Sequence, residues 1–336
     1  MTLSYDPPKV AIPGTARLSF EPLKYVNQLS DAQPVRLAGT DCIVKPHVPL
    51  AAFTSFRVGG PAQWYVAPKQ ITELQASFEW AQSHDLSVTL LGAGSNLLIS
   101  DRGLPGLVMS TRRLRQTQFD PELGQVTVGA GDPLPRLAWS AADRGWKGME
   151  WAVGIPGTVG GAVVMNAGAH GGCVADYLVQ ARVLLPNGTT KVLTAQDLRY
   201  RYRTSALQGS NWLVTQATFQ LQPGFDPVAL TELTSQHHQH RRTTQPYHLP
   251  SCGSVFRNPI GYKAGWLIEQ VGLKGYQIGN AQIAERHANF ILNCGNAMAG
   301  DIFRLIRHAQ QQVEQHWSLH LEPEVRILGD FQAVGI

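Results

Sequence analysis

The spacing of hydrophobic and polar positions changes several times along the chain, and each change predicts an element. FTSFRVGGPAQWYVAP, Phe53 to Pro68, ends in a strand-like QWYVAP. ITELQASFEWAQSH, Ile71 to His84, carries apolar residues at helical spacing and predicts a helix. LSVTLLGAGSNLLIS, Leu86 to Ser100, predicts strand, glycine turn and strand, and LPGLVMS and QVTVGAG continue the strand pattern. PLPRLAWSAADRG, Pro133 to Gly145, predicts a helix with Gly145 near its C-cap. DYLVQARVLLPNGTTKVLT, Asp176 to Thr194, predicts a hairpin about Asn187-Gly188, and NWLVTQATFQLQP a further strand.

Beyond Gly224 helical patterns take over. DPVALTELTSQHHQHRRTTQP, Asp226 to Pro246, predicts a polar helix ended by its proline. AGWLIEQVGLKG, Ala264 to Gly275, and NAMAGDIFRLIRHAQQQVEQHW, Asn296 to Trp317, predict two more. LHLEPEVRILGD closes as a strand. Residues 1–45 are proline-rich and weakly periodic, which predicts an irregular extension.

One stretch fits neither period. From Trp151 to Ala175, WAVGIPGTVGGAVVMNAGAHGGCVA holds no Asp, Glu, Lys or Arg, and seven of its residues are glycine. It is long enough to span a bilayer, and Gly157 and Gly161 make a G-x-x-x-G. Pro156, Asn166, His170 and the scarcity of large aliphatics argue against insertion. Glycine at this density predicts a backbone that bends or approaches a ligand closely.

Composition narrows the class. The chain has 336 residues, 43% hydrophobic and 15% charged, which is globular and long enough for about two or three domains. The net charge of +4 suits an anionic small substrate, and no basic run with interleaved aromatics points to nucleic acid. Cys42, Cys173, Cys252 and Cys294 form no C-x-x-C pair, which argues against structural zinc and a disulfide framework and suits a reducing cytoplasm. MTLSYDPPKVAIPG does not have the form of a signal peptide. No metal site and no membrane insertion are expected, and a monomer is.

Two glycine segments, Gly92-Ala93-Gly94-Ser95-Asn96 and Gly154 to Gly161 with Asn166-Ala167-Gly168, are expected at strand ends. There glycine lets main-chain N–H groups face an anion, and two such loops can grip a pyrophosphate. The alternative is that they only make tight turns. Gly94 leads into a strand-like run, so a dinucleotide here would not bind by the Rossmann route.

TSFRVGGPA, LLGAGSNLLISDRGLPGLV and GMEWAVGIPGTVGGAVVMNAGAHG together resemble the flavin-binding half of the UDP-N-acetylenolpyruvoylglucosamine reductase family. Three later segments are similar to its motifs. LRYRYRTS points to Arg203, PSCGSVFRNP to Ser254, and LEPEVRILG to Glu324. The resemblance covers roughly residues 45–330 and implies an α+β fold. That fold is a vanillyl-alcohol-oxidase-like (PCMH-type) FAD-binding pair of subdomains, 46–115 and 116–224, with a C-terminal α/β substrate-binding domain, 225–320. A last segment, 321–336, carries the catalytic glutamate.

The resemblance implies non-covalent FAD, with contacts from Arg57, Gly59, Gly92, Ala93, Gly94, Ser95, Asn96, Gly154, Ile155, Pro156, Gly157, Thr158, Gly160, Gly161, Asn166, Ala167 and Gly168. It implies NADPH as hydride donor and UDP-N-acetylglucosamine enolpyruvate as the substrate reduced, for peptidoglycan precursor synthesis in the cytoplasm. Arg203 and Glu324 would stabilise charge on the substrate carboxylate, and Ser254 would supply the proton.

Only about 50 residues separate Arg203 from Ser254, and Glu285-x-His287-x-Asn289 is similar to the type II form, which lacks an extra tyrosine-bearing loop. His287 and Asn289 are expected to contact substrate or to pack at a strand. Arg242, Asn258 and Lys263 are expected at phosphate or sugar, and Tyr202 beside the flavin or Arg203. SQHHQHRR, Ser235 to Arg242, is read as a solvated helix face rather than a metal site. Competing readings are an FAD-dependent oxidase of the same fold, which often tethers flavin through a residue such as His170 or Cys173, and a non-catalytic FAD-fold protein.

Overall fold

The computed structural model describes residues 32–332. The first subdomain runs through β1 (Val35–Arg36), β2 (Ile43–Pro49), β3 (Pro61–Val66), α1 (Ile71–Ser83), β4 (Val88–Leu91), β5 (Leu97–Ile99) and β6 (Leu104–Ser110). Its sheet has the order β1-β2-β3-β6-β4, antiparallel through β3 and parallel from there on. Leu74, Phe78 and Ala81 recur at helical spacing and press α1 onto Val66, Leu107 and Met109 of the sheet.

The expected irregular extension is therefore too long at its C-terminal end. Val35–Arg36 and Ile43 onward form a hairpin that extends the sheet, with Leu37, Cys42 and Val44 buried. The run is too short and too broken by Lys45 and Pro46 to show a period of two. The rest of that expectation, residues 1–31, lies outside the described residues.

The second subdomain holds β7 (Thr117–Asp120), β8 (Gln125–Gly129), α2 (Leu134–Ala142), α3 (Val159–Met165), β9 (Gly168–Ala169), β10 (Gly172–Cys173), α4 (Val174–Tyr177), β11 (Leu178–Leu184), β12 (Thr190–Thr194) and β13 (Leu213–Gln220). Its sheet, β12-β11-β13-β8-β7, is antiparallel throughout. Alternate residues Val126, Val128, Ala181, Val183, Ala217 and Phe219 are buried beneath α2 and α3. The hairpin about Asn187-Gly188 forms as read, with Leu184 opposite Thr190.

The third part comprises α5 (Pro227–Thr244), α6 (Ala264–Gln270), β14 (Gln277–Ile278), β15 (Ala281–Ile283), β16 (Ile291–Asn293), α7 (Ala299–Trp317) and β17 (Arg326–Leu328). Ile302, Leu305, Ile306, Ala309 and Val313 form the buried stripe of α7. α5 packs on α2 and on the 3-10 turn Glu150–Ala152. The break expected near Gly224 thus separates α5 from the subdomain it lies on. The C-terminal core begins at Cys252. β17 leaves that core and pairs in parallel with β5 of the first subdomain, Arg326 opposite Leu97.

Candidate active site

The first glycine segment leaves the end of β4, as read. The carbonyls of Gly92, Ala93, Gly94 and Asn96 each accept a hydrogen bond. Arg112 donates from Nε to Gly92 O at 3.1 Å and from Nη2 to Ala93 O at 2.6 Å. Ser55 N donates to Gly94 O at 3.1 Å. Gly94 has φ +67°, and a Cβ there would strike the Phe53 carbonyl. Among the described residues, none of the main-chain N–H groups of Gly92 through Asn96 donates to a backbone carbonyl. Arg112 was not among the expected residues. Its only signal in the sequence is one arginine among three in TRRLR.

The second segment does not sit at a strand end. It follows the 3-10 turn Glu150–Ala152 and runs into α3. Thr158 caps that helix, its hydroxyl accepting Gly161 N at 3.4 Å. Val159, Ala162 and Val163 are buried at helical spacing, but two glycines in the first turn mask the helix in the sequence. Ser95 Oγ donates to Pro156 O at 2.8 Å and ties the two segments together.

Both segments open onto one cavity of about 820 Å³. Gly92 to Asn96, Ile155 to Thr158, Gly160, Gly161, Ala167 and Gly168 line it. Tyr202, Arg203, Ser254, Asn258, Lys263, His287, Asn289 and Glu324 line the same space. Gly92 faces Thr158 across it, and a Cβ on Gly92 would stand 2.8 Å from Thr158 Oγ1. This cradle of glycine backbone and unengaged N–H donors fits the pyrophosphate of a dinucleotide.

Five expected residues lie off the cavity. Arg57 points to solvent between buried Phe56 and Val58, and Gly59 packs on Ile99. Gly154 lies under the Arg241 side chain, its carbonyl accepting Tyr247 Oη at 3.2 Å. Asn166 is buried at the C-cap of α3, φ +44°, its amide joined to Arg201 O and Ala175 N. Arg242 is exposed, and the turn of α5 puts Arg241 on the cavity in its place. Asn258 and Asn289 line the cavity, Asn258 with one side-chain atom and Asn289 with both committed to main-chain groups. Asn258 Oδ1 accepts Ala264 N at 3.0 Å at the start of α6. Asn289 Oδ1 accepts Phe256 N at 2.9 Å, and its Nδ2 donates to Phe256 O at 2.8 Å.

Arg203 and Glu324, 121 residues apart, meet at 3.0 Å between Nε and Oε1. Arg203 holds a left-handed φ of +56° in the Arg201–Thr204 turn, a conformation that costs a non-glycine residue about 1 kcal/mol or more. Its Nη2 donates to Gly168 O at 2.7 Å, and its guanidinium stands 5.0 Å over the Tyr202 ring. Burial pushes the Glu324 carboxyl above its ordinary value, against the pull of Arg203 and Arg257. Glu324 N donates to Val255 O at 2.7 Å, which sets the glutamate beside the Ser254 loop. Burial lowers the pKa of His287, so its imidazole favours the neutral form. Cys173 and His170 do not line the cavity.

The fold and this cavity define a flavoprotein of the FAD-binding class, with C-terminal residues lining the same cleft. Residues 62–194 match the family model of the FAD binding domain, and residues 245–328 match that of the UDP-N-acetylenolpyruvoylglucosamine reductase C-terminal domain. The UDP-N-acetylenolpyruvoylglucosamine reductase of Nostoc sp. (strain PCC 7120) is 64% identical over 91% of this chain and 93% of its own. That of Synechocystis sp. (strain PCC 6803) is 55% identical over 88% and 94%. The crystal structure of UDP-N-acetylenolpyruvylglucosamine reductase (MurB) from Thermus caldophilus superposes with a TM-score of 0.72 at 34% identity, covering 84% of this chain and 98% of that one. The chain belongs to the UDP-N-acetylenolpyruvoylglucosamine reductase family.

Proposed function

We propose that the protein reduces UDP-N-acetylglucosamine enolpyruvate to UDP-N-acetylmuramate, using NADPH and FAD, as a step of peptidoglycan precursor synthesis. The observation that carries this reading is the convergence of Arg203, Ser254 and Glu324 on a cavity lined by both glycine segments. When bound, FAD supplies the hydride chemistry, taking a hydride from NADPH and passing it to the enolpyruvyl alkene.

The chain's own groups then manage charge and the proton. Addition of hydride to the terminal alkene carbon drives negative charge onto its neighbour and the attached carboxylate. Arg203, fixed by Gly168 O and Glu324, offers a preorganised cation to that charge. Glu324, shifted towards its neutral form by burial, can donate a hydrogen bond to the same carboxylate. Ser254 Oγ gives its proton to the carbon bearing the ether oxygen, the most basic atom left in the site. Gly92 to Asn96, with Gly157 and Thr158 of the second segment, would hold the FAD pyrophosphate through main-chain N–H groups. Non-covalent binding is supported by His170 and Cys173 not being among the residues that line the cavity.

No helix among the described residues is long and apolar enough to cross a membrane. The nucleotide substrates and four free cysteines support a cytoplasmic site of action. The test is the visible spectrum of purified protein held without oxygen. Yellow colour bleached by NADPH and restored by UDP-N-acetylglucosamine enolpyruvate supports the reading. A protein that stays colourless after incubation with FAD refutes it.

A further inference from the structure

α5 does not present its histidines to solvent alone. His237, His240 and Arg241, at i, i+3 and i+4, share one helical face. That face meets His170, carried on the β9–β10 turn with φ +51°. The His170 and His237 rings stack with centroids 4.3 Å apart and planes 1° from parallel, and His240 meets His170 edge-on at 5.8 Å. His238 turns the other way, towards Trp139. The solvated-face reading of SQHHQHRR holds for Ser235, Gln236, Gln239, His240 and Arg242, which are exposed, while His237 and His238 are half-buried.

Stacked parallel rings do not converge their nitrogens on one point, and no set of metal-ligating side chains is assembled among the described residues. What the cluster assembles is three imidazoles around one fixed cation, Arg241. The groups acting on His170 are His237, Arg241 and His240; burial and these three depress its pKa. The acids of the neighbouring elements are committed elsewhere. Glu150 takes Gly148 N on both carboxylate oxygens and meets His237 only through its main-chain carbonyl, and Asp176 takes Cys173 N. Cys173 is held in its neutral thiol form by burial. Arg241 reaches from this cluster to the cavity wall over Gly154.

We infer that His170, His237, His240 and Arg241 form a phosphate-binding subsite at the rim of the active-site cavity, taking a phosphate group of a bound nucleotide. An anion placed among them relieves their mutual repulsion, and binding draws protons onto the imidazoles. The ligand chemistry has two sources, the 2′-phosphate of NADPH or the diphosphate of the uridine nucleotide. Assigning either rests on the reductase reading above; the binding of phosphate to the cluster does not.

The experiment is calorimetric titration of FAD-loaded protein with 2′,5′-ADP, 5′-AMP and UDP, at pH 6 and pH 8, in buffers of different ionisation enthalpy. The comparison is with the double variant His170→Gln/His237→Gln, whose replaced side chains lie at the surface and touch none of the proposed catalytic groups. The wild type should bind its phosphate ligand more tightly at pH 6, with proton uptake. The double variant should bind about tenfold more weakly and lose the pH dependence, with its FAD spectrum unchanged.

An effect on 2′,5′-ADP, absent for 5′-AMP and UDP, identifies the nicotinamide donor's 2′-phosphate. An effect on UDP identifies the substrate diphosphate. Equal affinity of wild type and variant for every ligand overturns the subsite, as does wild-type binding without proton uptake. A wild type that binds phosphate in this way but is not bleached by NADPH keeps the subsite and sinks the reductase reading.

Discussion

Replacing Asn289 with alanine tests how the serine loop is held. Asn289 is buried at 3% exposure, and its side-chain amide closes a two-way bond with the main chain of Phe256, itself 2% exposed. Its own carbonyl accepts Val255 N at 2.8 Å. Alanine keeps that last bond and leaves the Phe256 N–H and C=O without a side-chain partner at a position only 2% exposed. Each stranded group costs about 1–3 kcal/mol, so the change should destabilise the fold by roughly 2–6 kcal/mol. Urea unfolding followed by tryptophan fluorescence measures this directly.

The functional consequence is selective. Ser254 lies two residues from Phe256, and it is needed only when the substrate takes its proton. Bleaching by NADPH should stay within about threefold of wild type, while colour recovery on the enolpyruvyl substrate should slow by about tenfold or more. Asn289→Asp separates positioning from bulk stability. It still accepts Phe256 N, but offers Phe256 O a donor only when protonated. Its deficit should therefore shrink as pH falls. A variant as stable as wild type to within about 0.5 kcal/mol, with both half-reactions unchanged, would show that Asn289 does not hold the loop.

Three further outcomes are expected. Ser254→Ala should leave reduction by NADPH intact and slow reoxidation by substrate about 100-fold or more, read by stopped-flow absorbance; fast reoxidation would remove Ser254 as the proton donor. Burial raises the Glu324 pKa, so the folded protein holds that proton more tightly than the unfolded chain, and stability falls as pH rises from the ordinary carboxyl range through the raised value. Glu324→Gln should flatten that slope in urea midpoints taken across the window, and an unchanged slope would contradict the shift. Gly92→Ala puts a methyl 2.8 Å from Thr158 Oγ1, inside the cradle. FAD content after gel filtration should drop sharply, while unfolding of the apoprotein shifts by about 1 kcal/mol or less; full retention of FAD would place the cofactor elsewhere.

Most of the secondary structure could be read because it repeats. α1, α7 and the alternating strands of the second sheet carry their burial in a regular period. α3 could not, since its buried face of Val159, Ala162 and Val163 is set among glycines that score as loop. The β1–β2 hairpin was hidden because β1 is two residues long and β2 contains two prolines. Arg203, Ser254 and Glu324 were legible only as motif matches, and no pattern of burial or spacing joins them. Arg242 is expected from its resemblance to a family segment, whereas the turn of α5 puts Arg241 on the cavity, four residues after His237. Asn289 shows the same limit differently. The sequence marks the residue, but only the bonds to Phe256 show that it supports the site without offering its amide to a ligand.

Three chain segments far apart in sequence become one site through a short set of main-chain bonds. Asn96 closes the first glycine segment, and its Nδ2 donates to Glu324 O at 3.0 Å while its own carbonyl accepts Arg326 N at 3.0 Å. From there β5 and β17 continue side by side. Glu324 N reaches Val255 O, so the segment leading into β17 is stitched to the cofactor cradle on one side and to the serine loop on the other. The Arg203 guanidinium joins through Glu324 Oε1 and Gly168 O. Cradle, acid, arginine and serine thus share one frame, and a shift of β17 along β5 would move the acid relative to the cradle. The carboxylate sits two residues before β17, so the pairing of β17 with β5 fixes it against the first subdomain while its own main-chain N–H fixes it to the serine loop.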